Sequence, residues 1–136
     1  MKENKISIEI NRPVSEVFAF TLNPKNTHLW IDTIVREEAN QHPVGVGTKY
    51  KNVNSQGQWT EYTVIRIQQN KLFEMKQSNS TYHVLYTFEQ LSEGKTKLTY
   101  FEWVEDGDLD GPFSLTFLEK LKKLMEEIMK ARLYEN

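Results

Sequence analysis

The sequence predicts an α+β domain in which a curved antiparallel sheet of about seven strands wraps a long C-terminal helix, with two short helices after the first strand. Three observations carry this. From Phe117 onward, Phe117, Leu118, Leu121, Leu124, Met125, Ile128 and Met129 form an apolar stripe at helical spacing. Glu119, Lys120, Lys122, Lys123, Glu126, Glu127 and Lys130 fill the opposite face. Most of the chain before Phe117 reads as short strands separated by turn residues, interrupted by two brief helical stretches near the start. A helix patterned in this way has to bury its stripe, and the strands are the only partner of sufficient size.

The first strand is expected over Lys5–Asn11, where Ile6, Ile8 and Ile10 alternate with Ser7 and Glu9. Pro13 suits a first helical turn, and Glu16 lies where the helix dipole favours an anion. Val14, Val17, Phe18 and Leu22 give that helix its inner face, and Asn23-Pro24 ends it. A second helical turn spans Lys25–Trp30, and Ile31–Glu38 is expected to be extended. After a turn at Pro43–Gly47 come strands Thr48–Val53, Gln58–Gln69, Leu72–Gln77, Thr81–Leu91 and Thr96–Val104. The turns between them are Asn54–Gly57, Gln69–Lys71, Ser78–Ser80 and Ser92–Lys95, rich in Asn, Ser and Gly. Connections this short join antiparallel neighbours. Glu105–Pro112 leads into the helix, expected over Pro112–Tyr134.

Bulk properties exclude several classes. With 136 residues, 38% apolar and 26% charged, the chain is expected to form a single domain over residues 1–136 with a core of its own. A net charge of -2 gives no general attraction to nucleic acid or anionic lipid. There are no cysteines, so disulfides, thiolate catalysis and cysteine-ligated zinc are absent together. No run reaches the roughly 20 apolar residues of a membrane span. Because no apolar signal region precedes the first strand, a cytoplasmic protein is expected, as a monomer or weak homodimer.

Three landmarks occur in order: Ile10-Asn11-Arg12-Pro13-Val14-Ser15-Glu16-Val17-Phe18, Asn23-Pro24-Lys25-Asn26 leading to Trp30, and Val44-Gly45-Val46-Gly47-Thr48. With the terminal helix, this pattern resembles the START-like or SRPBCC superfamily, the helix-grip fold of polyketide cyclase and plant-allergen relatives. The resemblance covers essentially the whole chain. It implies a cavity between sheet and helix, in a superfamily that includes lipid carriers, hormone receptors, cyclases, quinone-binding proteins and co-chaperones. Fold alone does not choose among these.

A curved sheet around one helix leaves space unless large side chains fill it. Polar-tipped aromatics are plentiful on the strands: Trp59, Tyr62, Tyr82, Tyr86, Tyr100 and Trp103. Tyr82, Val84, Tyr86 and Phe88 share one strand face, and Leu98, Tyr100 and Glu102 share another that is expected to face inward with them. A one-residue slip would instead turn Phe101 and Trp103 inward. The candidate ligand-lining set is therefore Trp30, Trp59, Tyr62, Tyr82, Tyr86, Tyr100 and Glu102, with Phe117 and Leu121 from the helix. Individually the aromatics are also what a filled core requires, and Trp30 fits either a pocket mouth or packing under the loops.

Glu102 is the best candidate acid or base, because burial would raise its pKa; the alternative is that it faces water or pairs with Arg66. His28, His42 and His83 follow no metal spacing, and no metal or cofactor is expected. Asp106-Gly107-Asp108-Leu109-Asp110-Gly111 matches half of a calcium loop, but its twelfth position is Phe117 where a glutamate is required. Three functions follow as expectations. The first is a binding or carrier module for a small apolar ligand such as a lipid, polyketide, quinone or aromatic compound. The others are a cyclase- or lyase-type enzyme using Glu102 or a tyrosine for proton transfer, and a co-chaperone-like interaction domain.

Overall fold

The structure, a computed structural model, describes residues 2–135 and the side chains of residues 2–128. Met129 and Lys130 of the predicted helix pattern thus fall outside the described side chains. The strands are β1 (Glu3–Ile10), β2 (Arg36–Ala39), β3 (Lys49–Val53), β4 (Trp59–Gln68), β5 (Leu72–Gln77), β6 (Tyr82–Ser92) and β7 (Lys95–Val104). Helix α1 (Val14–Leu22) and a 3-10 helix (Pro24–Leu29) follow β1, and α2 (Leu115–Glu135) closes the chain. The seven strands form one antiparallel curved sheet in the order β1-β7-β6-β5-β4-β3-β2. From β2 to β7 this is a meander, and the excursion through α1 carries the chain from one edge to the other.

The β6–β7 register pairs Val84 with Glu102, Tyr86 with Tyr100 and Phe88 with Leu98. All six are buried, so Phe101 and Trp103 lie on the other face, where they stack on each other at 4.9 Å. In β4 the inward parity changes midway. Tyr62 and Val64 face the core, a bulge at Ile65 shifts the register, and Ile67 then packs inward opposite Phe73. One extra residue suffices, because side chains alternate with period two.

Phe18 of α1 stacks on Phe88 at 5.2 Å and Phe73 at 6.0 Å, which fixes that helix on the sheet. In α2, Leu118, Leu121 and Met125 are buried at i, i+3 and i+7. Lys122 Nζ donates to the Glu9 carbonyl at 2.8 Å, and the Asn11 N–H donates to Glu126 at 2.9 Å, tying α2 to the end of β1.

Two expected boundaries move. The long helix begins at Leu115 rather than Pro112, because the Phe113 N–H is engaged by Glu102 and the Ser114 hydroxyl accepts from the Thr116 N–H at 3.2 Å as the cap. Ile31–Val35 is not strand: Ile31 N–H bonds back to Thr27 and Ile34 N–H to Ile31, so the chain turns before β2. No helix among the described residues is long and apolar enough to cross a membrane.

Candidate functional site

The concave face of the sheet holds a partly open cavity of about 270 Å³. Alternation on each strand supplies its walls: Tyr50 and Asn52 from β3, Tyr62 from β4, Phe73 and Met75 from β5, Tyr82, Val84 and Tyr86 from β6, and Tyr100 from β7. Thr27 and Trp30 cover it from the 3-10 helix and its end, Phe113 from the segment before α2, and Glu37 from β2. Trp30 is buried rather than at a rim, and meets Tyr86 and Phe113 edge-on at 6.4 and 6.2 Å. Phe113 stacks on Tyr100 at 4.0 Å.

Of the residues singled out from sequence, Trp30, Tyr62, Tyr82, Tyr86 and Tyr100 line this cavity. Trp59 does not. It lies on the opposite face of β4 with Glu61, 49% exposed, with the Arg36 guanidinium 5.4 Å above its ring. Its parity is opposite to that of Tyr62, which excludes it from the concave side. Phe117 and Leu121 also stand apart from the cavity: Phe117 packs on Phe113 at 4.9 Å, and Leu121 is fully buried in the core under α2.

Glu102 points inward, where its carboxylate is engaged by donors of the protein itself rather than facing water or pairing with Arg66. Its carboxylate accepts from Asn4 Nδ2 at 2.8 Å, from the Phe113 N–H at 2.6 Å and from the Tyr82 hydroxyl at 2.7 Å. Arg66 pairs with Glu74 instead, at 3.3 Å. Three donors from distant parts of the chain converge on one buried carboxylate, which makes it a fastening between β1, β6 and the segment before α2. It borders a neighbouring hollow of about 410 Å³ that shares Tyr62 and Tyr82 with the main cavity and also touches Asp106, Asp108 and Asp110.

The carboxyl that does line the main cavity is Glu37, which sequence reasoning passed over. Its Oε1 accepts from the Thr27 hydroxyl at 2.6 Å and its Oε2 from Asn52 Nδ2 at 3.1 Å. Burial pushes its pKa up, against the lowering effect of those two bonds. The tyrosines around it are driven the same way. Burial, followed by the charges of Glu37 and Glu102, pushes Tyr62 up to about 12, and burial holds Tyr86 and Tyr100 well above the usual phenol range. All remain neutral hydroxyls at physiological pH. Tyr50 donates to the Leu22 carbonyl at 2.5 Å, and Tyr82 to Glu102. Tyr62 and Tyr86 have no hydrogen-bond partner for their hydroxyls among the described residues, and the buried indole N–H of Trp30 has none either.

A raised carboxyl pKa has a definite sign in stability. The folded chain holds that proton more tightly than the unfolded chain, whose glutamate titrates near ~4.3. The contribution is fully present below that value and is lost as pH rises through the folded pKa. Glu37→Gln, which stays uncharged, is therefore expected to gain in stability relative to wild type as pH rises from acid to neutral, whatever the loss of one acceptor oxygen costs at every pH. Urea midpoints should show the difference, variant minus wild type, rising from acid to neutral pH; a difference independent of pH would contradict the assignment.

Residues 1–135 match the family described as polyketide cyclase / dehydrase and lipid transport. The chain belongs to this family. No curated protein matches the sequence. Among solved structures, a START superfamily protein from Mycobacterium smegmatis superposes with a TM-score of 0.65 at 11% identity, over 99% of each chain. The Aha1 dimer from Colwellia psychrerythraea gives 0.64 at 13% identity, over 90% of this chain and 95% of that one. DynU16, from the dynemicin biosynthetic locus, gives 0.68 at 16% identity, over 93% of this chain but 48% of its own. Likeness at these identities shows the fold.

Proposed function

We propose that this family member binds one small, largely apolar molecule carrying a polar group in the cavity beneath Trp30. The observation that carries this reading is a cavity walled by aromatic and aliphatic side chains together with threonines, asparagines and Glu37, into which two phenol hydroxyls, of Tyr62 and Tyr86, project without protein partners among the described residues. Both hydroxyls stay open to the cavity rather than sealed in the core, so a polar group of a ligand can reach them there in place of water. The volume, about 270 Å³, lies just below the roughly 300–1,000 Å³ common for small-molecule sites, which favours a ligand of one to three rings over a long acyl chain.

Native mass spectrometry of freshly purified protein, followed by denaturing extraction, tests this. A one-to-one apolar adduct supports it; a panel of apolar compounds that leaves both the mass and the melting temperature unchanged overturns it. Tyr86→Phe removes a hydroxyl that makes no internal bond, so the melting temperature should hold while ligand affinity falls about 2–10-fold, the worth of one neutral hydrogen bond. Unchanged affinity for both Tyr86→Phe and Tyr62→Phe would count against a hydroxyl-oriented ligand.

One observation favours a second reading, an enzyme of the cyclase or lyase kind. Glu37 has a carboxyl pKa pushed up by burial and faces the cavity, as a general acid or base working near neutral pH requires. Turnover of a candidate substrate that survives in Glu37→Gln would remove that reading.

A further inference from the structure

We propose that the ligand is a protonated organic amine, its ammonium held by the Glu37 carboxylate and its apolar body lying against the Tyr62, Tyr86 and Phe73 rings. The inference rests on the reading that the cavity binds a small molecule, and adds the chemical class. Glu37 is the only charged side chain lining the cavity among the described residues. Each of its oxygens accepts from one neutral donor, Thr27 or Asn52, and no lysine, arginine or histidine shares the lining.

The absence of a cation is built into the strand register. Glu37 stands directly opposite Asn52 on β3. The basic residues next to these two point to the other face of the sheet: Arg36 covers Trp59, and Lys51 Nζ lies 4.0 Å from Glu61. A half-buried carboxylate satisfied only by neutral donors, without a counter-charge, costs free energy that a cationic ligand would return. Aromatic faces add to this, since the negative face of a phenol ring attracts a cation as well as an apolar body.

The surroundings agree. Among the described residues, the adjoining hollow that shares Tyr62 and Tyr82 is lined by Glu102, Asp106, Asp108 and Asp110 and by no basic side chain. Neighbouring surfaces of one sign concentrate ligands of the opposite sign and repel those of their own. Fatty acids, acyl phosphates and other anions meet like charge in the cavity and beside it. An amine meets complementary charge throughout. The hydroxyls of Tyr62 and Tyr86 remain for a second polar group on the same ligand.

Three probes that share one ring system separate the possibilities: naphthylmethylamine, naphthylmethanol and naphthoate. Their affinities are measured by calorimetry on the full chain, with the Trp30 indole N–H resonance reporting where they bind. The amine is expected to bind at least about tenfold more tightly than the alcohol, as one charge-assisted hydrogen bond allows, with naphthoate weakest. Glu37→Gln should erase the amine's advantage over the alcohol. An alcohol that binds as tightly as the amine, or an amine preference that survives in Glu37→Gln, overturns the proposal and leaves the cavity reading intact. Failure of all three probes to move the Trp30 resonance overturns both. The comparison on wild-type protein stands even if the variant folds poorly.

Discussion

Glu102→Ala is expected to lose about 3–5 kcal/mol of stability, a large part of what a domain of this size possesses. The carboxylate takes donors from Asn4, Tyr82 and the Phe113 backbone, and the residue is 3% exposed. Truncation leaves three donors without their acceptor, and each unmade bond costs about 1–3 kcal/mol. The consequences reach the cavity, because Phe113 covers it while stacking on Tyr100. Glu102→Gln keeps one acceptor oxygen and should lose less, about 1–2 kcal/mol. Chemical denaturation measures both, and a cost below about 1 kcal/mol for the alanine variant would show that the three bonds do not act together.

Phe73→Ala should cost a comparable amount, about 3–5 kcal/mol, for a different reason. Phe73 is 2% exposed and stacks on Tyr86 at 4.4 Å, on Phe88 at 5.9 Å and on Phe18 at 6.0 Å. It is the partition between the solid aromatic core under α1 and the open space under Trp30. Deleting the ring removes transfer free energy and leaves a void that the stacked neighbours can close only in part. The same void enlarges the binding space, so the destabilised variant should accept ligands one ring larger than wild type. Denaturation paired with a ligand-size series checks both halves; a variant that loses stability without gaining larger ligands would place Phe73 in the core alone.

Much of the fold was legible because its signals are local. Ile6, Ile8 and Ile10 alternate, the turns carry Asn, Ser and Gly, and the α2 stripe repeats at helical spacing. The inward face of β6 and β7 followed from matching two apolar sets, and the register bears it out by placing Tyr86 opposite Tyr100. What stayed hidden depends on pairing between distant segments. Glu37 sits in a four-residue strand, Arg-Glu-Glu-Ala, whose own composition does not say which glutamate turns inward; β3 decides it. Trp59 is one residue out of phase with Tyr62, and no local signal marks which phase is concave. The engagement of Glu102 needs partners at positions 4, 82 and 113, a convergence that no spacing in one chain reveals.

The pairing of β1 with β7 also bears on how the chain acquires its structure. Every cavity-lining strand residue comes from the β2–β7 meander, whose neighbours are joined by short connections. The β1–β7 ladder joins Glu3 to Trp103, a closure across most of the polypeptide. Contacts between near neighbours carry little loop-closure entropy and form early, whereas distant ones wait. During synthesis β1 emerges before the other strands of the sheet and has no partner among them until β7 follows. The first strand of the sheet to be made is thus among the last to be paired, and an exposed alternating edge such as Ile6-Ser7-Ile8-Glu9-Ile10 is where a nascent chain of this design is open to premature association.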